Sequence, residues 1–190
     1  FRRVLFRSCV WDAGATVILR VSIPRDEKKA GFLLPASCFN VVIYINSGNA
    51  VFTSDNAVQS GKVRAALEKH FGFDIPTLVI SGDKIRAIAN AIPADWTNDS
   101  PKPDKSGQKS DVLYLFDEIN TPDILEKLGH NPDIETMIYV DGAVIANITR
   151  SNQLKGSLQK LIGSSLYSNM TIRNINTAKK LAELVRGIAA

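Results

Sequence analysis

The chain has 190 residues, 45% hydrophobic and 22% charged, with a formal charge of +4. This is ordinary globular composition, long enough to bury a core in one domain or two small ones. No uncharged apolar run reaches the roughly 20 residues of a membrane helix, and Cys9 and Cys38 have neither the spacing nor the histidine neighbours of a disulfide framework or zinc site.

In chain order, the first segment is exceptional. Phe1-Arg2-Arg3-Val4-Leu5-Phe6-Arg7-Ser8 resembles the translated sequencing adapter found at the ends of metagenomic reading frames, the other reading being a genuine basic arm. Set aside as a scar, it takes three arginines with it, and the formal charge falls from +4 to +1. Whole-chain basicity then no longer argues for nucleic acid. Asp12 and Arg20 interrupt the apolar stretch near the start, so no secretory segment is expected and the default compartment is the cytoplasm.

Residues 9–96 form the first expected half. Period-two and apolar runs predict strands over 15–22, 39–45, 50–54 and 77–80. Val63, Ala66, Leu67 and His70 fall at helical spacing within 57–71, and Ile85, Ile88 and Ala89 do so within 84–92. A weaker helical pattern covers 26–34, limited by Gly31 and Pro35. Residues 97–110 contain no apolar side chain outside two prolines and read as an exposed, mobile linker.

Residues 111–190 repeat the order, with strands over 111–117, 135–141, 143–149 and 170–174. Helices are expected over 121–128, 153–162 and 177–186, with Thr121-Pro122 and Thr177 as starts. Each half reads strand–helix–strand–strand–helix–strand plus an extra helix. The fold class is therefore α+β: duplicated ferredoxin-like halves, antiparallel sheets with helices on one face. Right-handed crossovers are expected to bring the two outer strands to the middle of each sheet.

Charge is segregated. From 111 to 149 there is one basic residue against eight acidic ones, and from 150 to 190 there are seven basic residues against Glu183 alone. Either the two segments neutralise each other or the second presents an anion-binding face.

The stretches Tyr44-Ile45-Asn46-Ser47-Gly48-Asn49-Ala50-Val51-Phe52 and Met170-Thr171-Ile172-Arg173-Asn174-Ile175-Asn176-Thr177-Ala178-Lys179-Lys180-Leu181 carry a resemblance, supported by Leu67-Glu68-Lys69-His70-Phe71-Gly72-Phe73 and Ile148-Thr149-Arg150-Ser151. From about Phe39 to Leu184 the chain resembles a bacterial domain of unknown function, number 1697. The resemblance implies two ferredoxin-like halves and no activity. The N-terminus departs from the family pattern: Leu19-Arg20 is followed by Val-Ser-Ile-Pro instead of a glycine-rich turn.

Three sets of polar residues are candidates. Asn46, Ser47, Gly48 and Asn49 read first as a hairpin turn with a residue at positive φ, and second as a backbone anion nest. Arg173, Asn174, Asn176, Thr177 and Lys179 sit where a strand enters a helix and combine capping chemistry with an N-terminal anion site. Arg150, with Ser151 and Lys155, marks a similar junction. His70 reads as a partly buried packing residue and His130 as a turn residue. No metal-ligand spacing, glycine-rich phosphate loop or dinucleotide fingerprint appears, so no cofactor is expected.

Three functions follow. The first is a non-enzymatic protein holding an anionic, phosphate-bearing ligand, nucleic acid included. The second is an enzyme on a phosphorylated or acidic metabolite in a cleft between halves, clamped by Arg150, Arg173 and Lys179. The third is an interaction protein assembling as a homodimer. None involves a membrane.

Overall fold

A computed structural model describes residues 14–20, 38–45, 48–54 and 57–189. The protein is mixed α+β, with two four-stranded antiparallel sheets. It forms two compact units: one ends at Ile85 and takes in the chain from Leu181 onward, and the other runs from Arg86 to Lys180. Among the described residues, no helix is long and apolar enough to cross a membrane.

The first sheet contains β1 (Gly14–Arg20), β2 (Cys38–Tyr44), β3 (Asn49–Ser54) and β4 (Thr77–Ser81) in the order β2-β3-β1-β4. β3 is central, so its run Ala50-Val51-Phe52 is wholly buried. Val63 and Leu67, four apart on α1 (Ser60–Phe71), close over Ala50, Phe52 and Ile75. That spacing is one helical turn, which is why the pattern is amphipathic. Gly72, at φ 79°, ends the helix by donating its N–H to Glu68 O at 2.8 Å, a left-handed cap that glycine adopts at little steric cost. His70, expected to pack, is exposed, its ring edge-on to Phe71 with centroids 4.7 Å apart. α2 (Gly82–Asn90) follows β4 directly. The weak helical pattern over 26–34 lies outside the described residues, as do residues 1–8.

The second sheet contains β5 (Gln108–Leu115), β6 (Glu135–Val140), β7 (Ala143–Thr149) and β8 (Met170–Asn174) in the order β6-β7-β5-β8. Leu113, Leu115, Met137, Val144 and Ala146 line one face and pack with Ile124 of α3 (Ile124–Lys127) and Leu161 of α4 (Ser157–Leu161). The chain closes with α5 (Ile175–Ala189).

The two sheets share one strand order. In each, the first and third strands are central and the fourth lies at an edge. The expectation that the two outer strands of the sequence take the middle is therefore corrected. The hairpin pins the third strand to the second, and the first then takes the third strand's free side.

Three further elements differ from expectation. The helix expected over 121–128 contracts to α3, after a 3-10 turn at Asp117–Ile119. The Thr121 hydroxyl bonds to the Asp123 carboxylate instead of capping a backbone amide, and Gly129 at φ 67° ends the turn. The helix expected over 153–162 contracts to the short α4, preceded by a 3-10 turn at Arg150–Asn152. Finally, β5 begins at Gln108, inside the polar stretch 97–110. Asp99 N–H donates to Gln108 O (2.9 Å), Gln108 N–H returns a bond to Asp99 Oδ2 (2.7 Å), and Thr97 N–H reaches Gln108 Oε1 (3.0 Å). The flanks are thus tied together, and residues 100–106 form the exposed tip. Polar side chains offset their ordering entropy here by replacing water as partners to the backbone.

Candidate functional site

The β8–α5 junction gathers most of the expected polar residues. On β8, Thr171 and Arg173 lie across from Tyr114 and Val112 of β5, and all four are buried. Arg173 is 8% exposed, and its Nη1 donates to Thr171 Oγ1 and Ile172 O, both at 2.8 Å. Burial pulls the guanidinium pKa downward, opposed by the neighbouring Tyr114 phenol. The Tyr114 side chain is fully buried and, among the described residues, its hydroxyl has no hydrogen-bond partner. Burial pushes its ionisation upward, against the pull of Arg173.

α5 begins two residues before the expected start because Asn174 caps it: Asn174 Oδ1 accepts the Thr177 N–H at 2.8 Å. Thr177, expected to cap, is instead a buried first-turn residue. Asn176 is exposed and Lys179 half-buried, and no acidic residue lies in the first turn. The junction therefore has an inner layer, Arg173 and Thr177, and an outer layer, Asn176 and Lys179.

In the first unit, Asn46 and Ser47 lie outside the described residues. Gly48 takes φ 75°, as a tight turn requires, and Ile45, three residues earlier, takes φ 50°. That conformation strains a β-branched side chain. Asn49 is fully buried at the start of β3, and its Nδ2 donates to Tyr44 O at 3.0 Å. Its role there is to close the hairpin.

Arg150 opens the 3-10 turn after β7. Its N–H donates to Gly107 O (2.9 Å), its Nη1 to Gln153 Oε1 (2.9 Å) and its Nη2 to Asp99 O. The side chain thereby holds the 97–108 loop against the turn. The Gln108 amide, with Thr97 next, holds the Asp99 carboxyl below the usual carboxylate range.

One group escaped the sequence reading. Glu135, 6% exposed at the start of β6, accepts the N–H of Asn131 (3.1 Å), the N–H of Ser157 (3.2 and 3.1 Å to its two oxygens) and the Ser157 hydroxyl. The Ser157 hydroxyl also lies 2.7 Å from Gly129 O. A carboxylate bonded to backbone amides in a dry setting is a strong tie, and here it joins β6, the 131–135 turn and α4. Gly156 fits closely beside it: a Cβ there would sit 2.7 Å from Ile148 Cδ1 and 3.0 Å from Glu135 Oε2, so these side chains would have to shift. A cavity of about 20 Å³ adjoins this clamp, lined by Lys109, Glu135, Gln153, Gln159 and their neighbours. That is room for about one water. In sequence, Glu135 was one acid among eight, with no periodic feature to mark it. His130 is the turn residue expected, its Nε2 3.2 Å from Glu135 O. Among the described residues, no group of three or more His, Cys, Asp or Glu is placed to hold a metal.

Comparison with known families agrees with the resemblance noted in the sequence. The family described as "Protein of unknown function (DUF1697)" matches residues 27–145, more than half the chain. The protein belongs to this family. The DUF1697 match starts upstream of Phe39 and ends in β7, so the motif at the β8–α5 junction lies beyond it. A solved structure described as that of conserved bacterial protein SP0830 from Streptococcus pneumoniae is similar, with a TM-score of 0.65 at 18% identity. The likeness covers 90% of this chain and 98% of that one, and is a likeness of fold. No curated protein matches the chain.

Proposed function

We propose that the protein is a non-enzymatic binding protein that holds a phosphate-bearing anion at the β8–α5 junction, on a chain built from two duplicated ferredoxin-like halves. The shared strand order, β2-β3-β1-β4 and β6-β7-β5-β8, supports the duplication. The single observation that carries the ligand reading is the start of α5. It is a 15-residue helix whose first turn carries no acid, with Asn176 exposed and Lys179 beside it. A helix N-terminus attracts anions through its amide groups and its dipole. The buried Arg173 adds a fixed positive charge behind that turn, acting through the field and not by contact.

Stacking of bases on the sheet is not the route favoured, because that mode needs exposed aromatics on central strands and Tyr114 is wholly buried. Nor does the enzyme reading gain support. Arg150 is engaged by Asp99 and Gln153, Arg173 is buried, and neither lines the cavity of the second unit.

The test is titration of the protein lacking residues 1–8 with inorganic pyrophosphate and with a short single-stranded oligoribonucleotide, followed by amide NMR. Shifts confined to residues 174–180, with affinity reduced about threefold to tenfold by Lys179→Ala, are expected. Binding of the oligonucleotide alone assigns the phosphate to nucleic acid and adds a falling affinity with salt. Binding unchanged in Lys179→Ala, or no binding of either probe, overturns the reading.

A further inference from the structure

The edge of the first sheet differs from every other strand described. β2 is an edge strand, and Cys38-Phe39-Asn40-Val41-Val42-Ile43-Tyr44-Ile45 contains no charged residue. Phe39, Val41, Ile43 and Ile45 are 48, 43, 58 and 48% exposed. Edge strands of folded proteins usually carry a lysine, a proline or a covering element against strand addition. Among the described residues, β2 has only a bulge between Phe39 and Val42, where Asn40 takes φ 52°.

The bulge decides what kind of partner fits. Phe39 pairs with Thr53 and Ile43 with Ala50, so the extra residue puts these two side chains on opposite faces of the sheet. An element laid on one face would cover one of them. A strand added at the edge covers both, and it also satisfies the outward backbone groups of Val42 to Ile45.

We propose that β2 pairs with β2 of a second copy of this chain, antiparallel about a two-fold axis, joining the two first-unit sheets. A two-fold pairing sets the same surface against itself, and an uncharged strand meets no like-charge penalty there. Each half-exposed side chain offers on the order of 100 Å², so the four supply about half of the ~800 Å² per partner in a standard interface. The association is therefore weak, on the order of 10 μM or above.

Sedimentation equilibrium of the chain from 1 to 500 μM tests it, alongside Ile43→Lys and Val41→Lys. The expected result is a monomer–dimer equilibrium in the parent and a monomer throughout in both variants, with melting temperatures of dilute samples within a few degrees of the parent. A parent that is monomeric at 500 μM overturns the proposal. So does a lysine variant that dimerises like the parent. So does one that loses its fold in dilute solution, since the strand is then covered within its own chain. Phosphate binding at α5 is indifferent to all of these outcomes, so the two proposals fail separately.

Discussion

The two units share one strand order and finish it differently. In the second, the inward face of the edge strand β6 is covered: Met137 is 6% exposed and packs in one core with Ile124 of α3 and Leu128. Its first residue, Glu135, is bolted to α4. In the first, Ile43 stands at the corresponding edge 58% exposed, beside a bulge. Equal topology therefore does not imply equal protection. Strand order follows from hairpins and crossovers, whereas the fate of an edge depends on what the connecting segments put against it.

The sharpest way to break the contrast is to remove the clamp. Glu135→Ala leaves the Asn131 and Ser157 amides buried without acceptors, and about 2–4 kcal/mol of stability is expected to go. Urea unfolding measures it, and amide exchange should show protection lost first in β6 and α4. An effect below 1 kcal/mol would mean water replaces the carboxylate and the second edge is no better held than the first.

A smaller, two-signed test uses glycine. Gly156→Ala drives a methyl into Ile148 and the Glu135 carboxylate and should cost about 1–3 kcal/mol. Gly61, in the first turns of α1, has open space around the same position. Gly61→Ala should stabilise by about 0.5–1 kcal/mol through the unfolded chain's lost freedom. Melting curves of the two variants should move in opposite directions.

The smallest effect compares two carboxylates. Asp74 in the first unit is held below the usual range chiefly by its hydrogen bond to Arg64, and Asp99 in the second chiefly by the Gln108 amide. Both have a folded pKa below the unfolded value. Each therefore contributes stability that is present above about pH 4 and lost as pH falls through the folded pKa. Carboxyl NMR titration should show both shifts at low salt. At 0.5 M salt the Asp74 shift should shrink more, because an exposed ion pair is screened while a backbone amide bond is not.

The strands were the legible part of the fold. The expected spans 143–149 and 170–174 match β7 and β8 residue for residue, since a buried strand must spell its burial in apolar residues. The short helices were not legible. α3 and α4 have four and five residues, too few for a period to repeat, and their ends are set by Gly129, Gly156 and Glu135. The candidate site was half legible. Asn174, Asn176, Thr177 and Lys179 do meet at a strand-to-helix passage, but which of them caps and which faces water depended on where the helix began.

By itself, then, the sequence determined the α+β class and the sequential order of the described strands, because alternation and turn chemistry act over a few residues. Tertiary structure alone decided that Arg173 lies inward beside the buried Tyr114, that Glu135 joins three segments, and that β2 keeps an apolar edge. Each of these depends on groups far apart in the chain meeting across a sheet, and local propensity carries no record of such meetings.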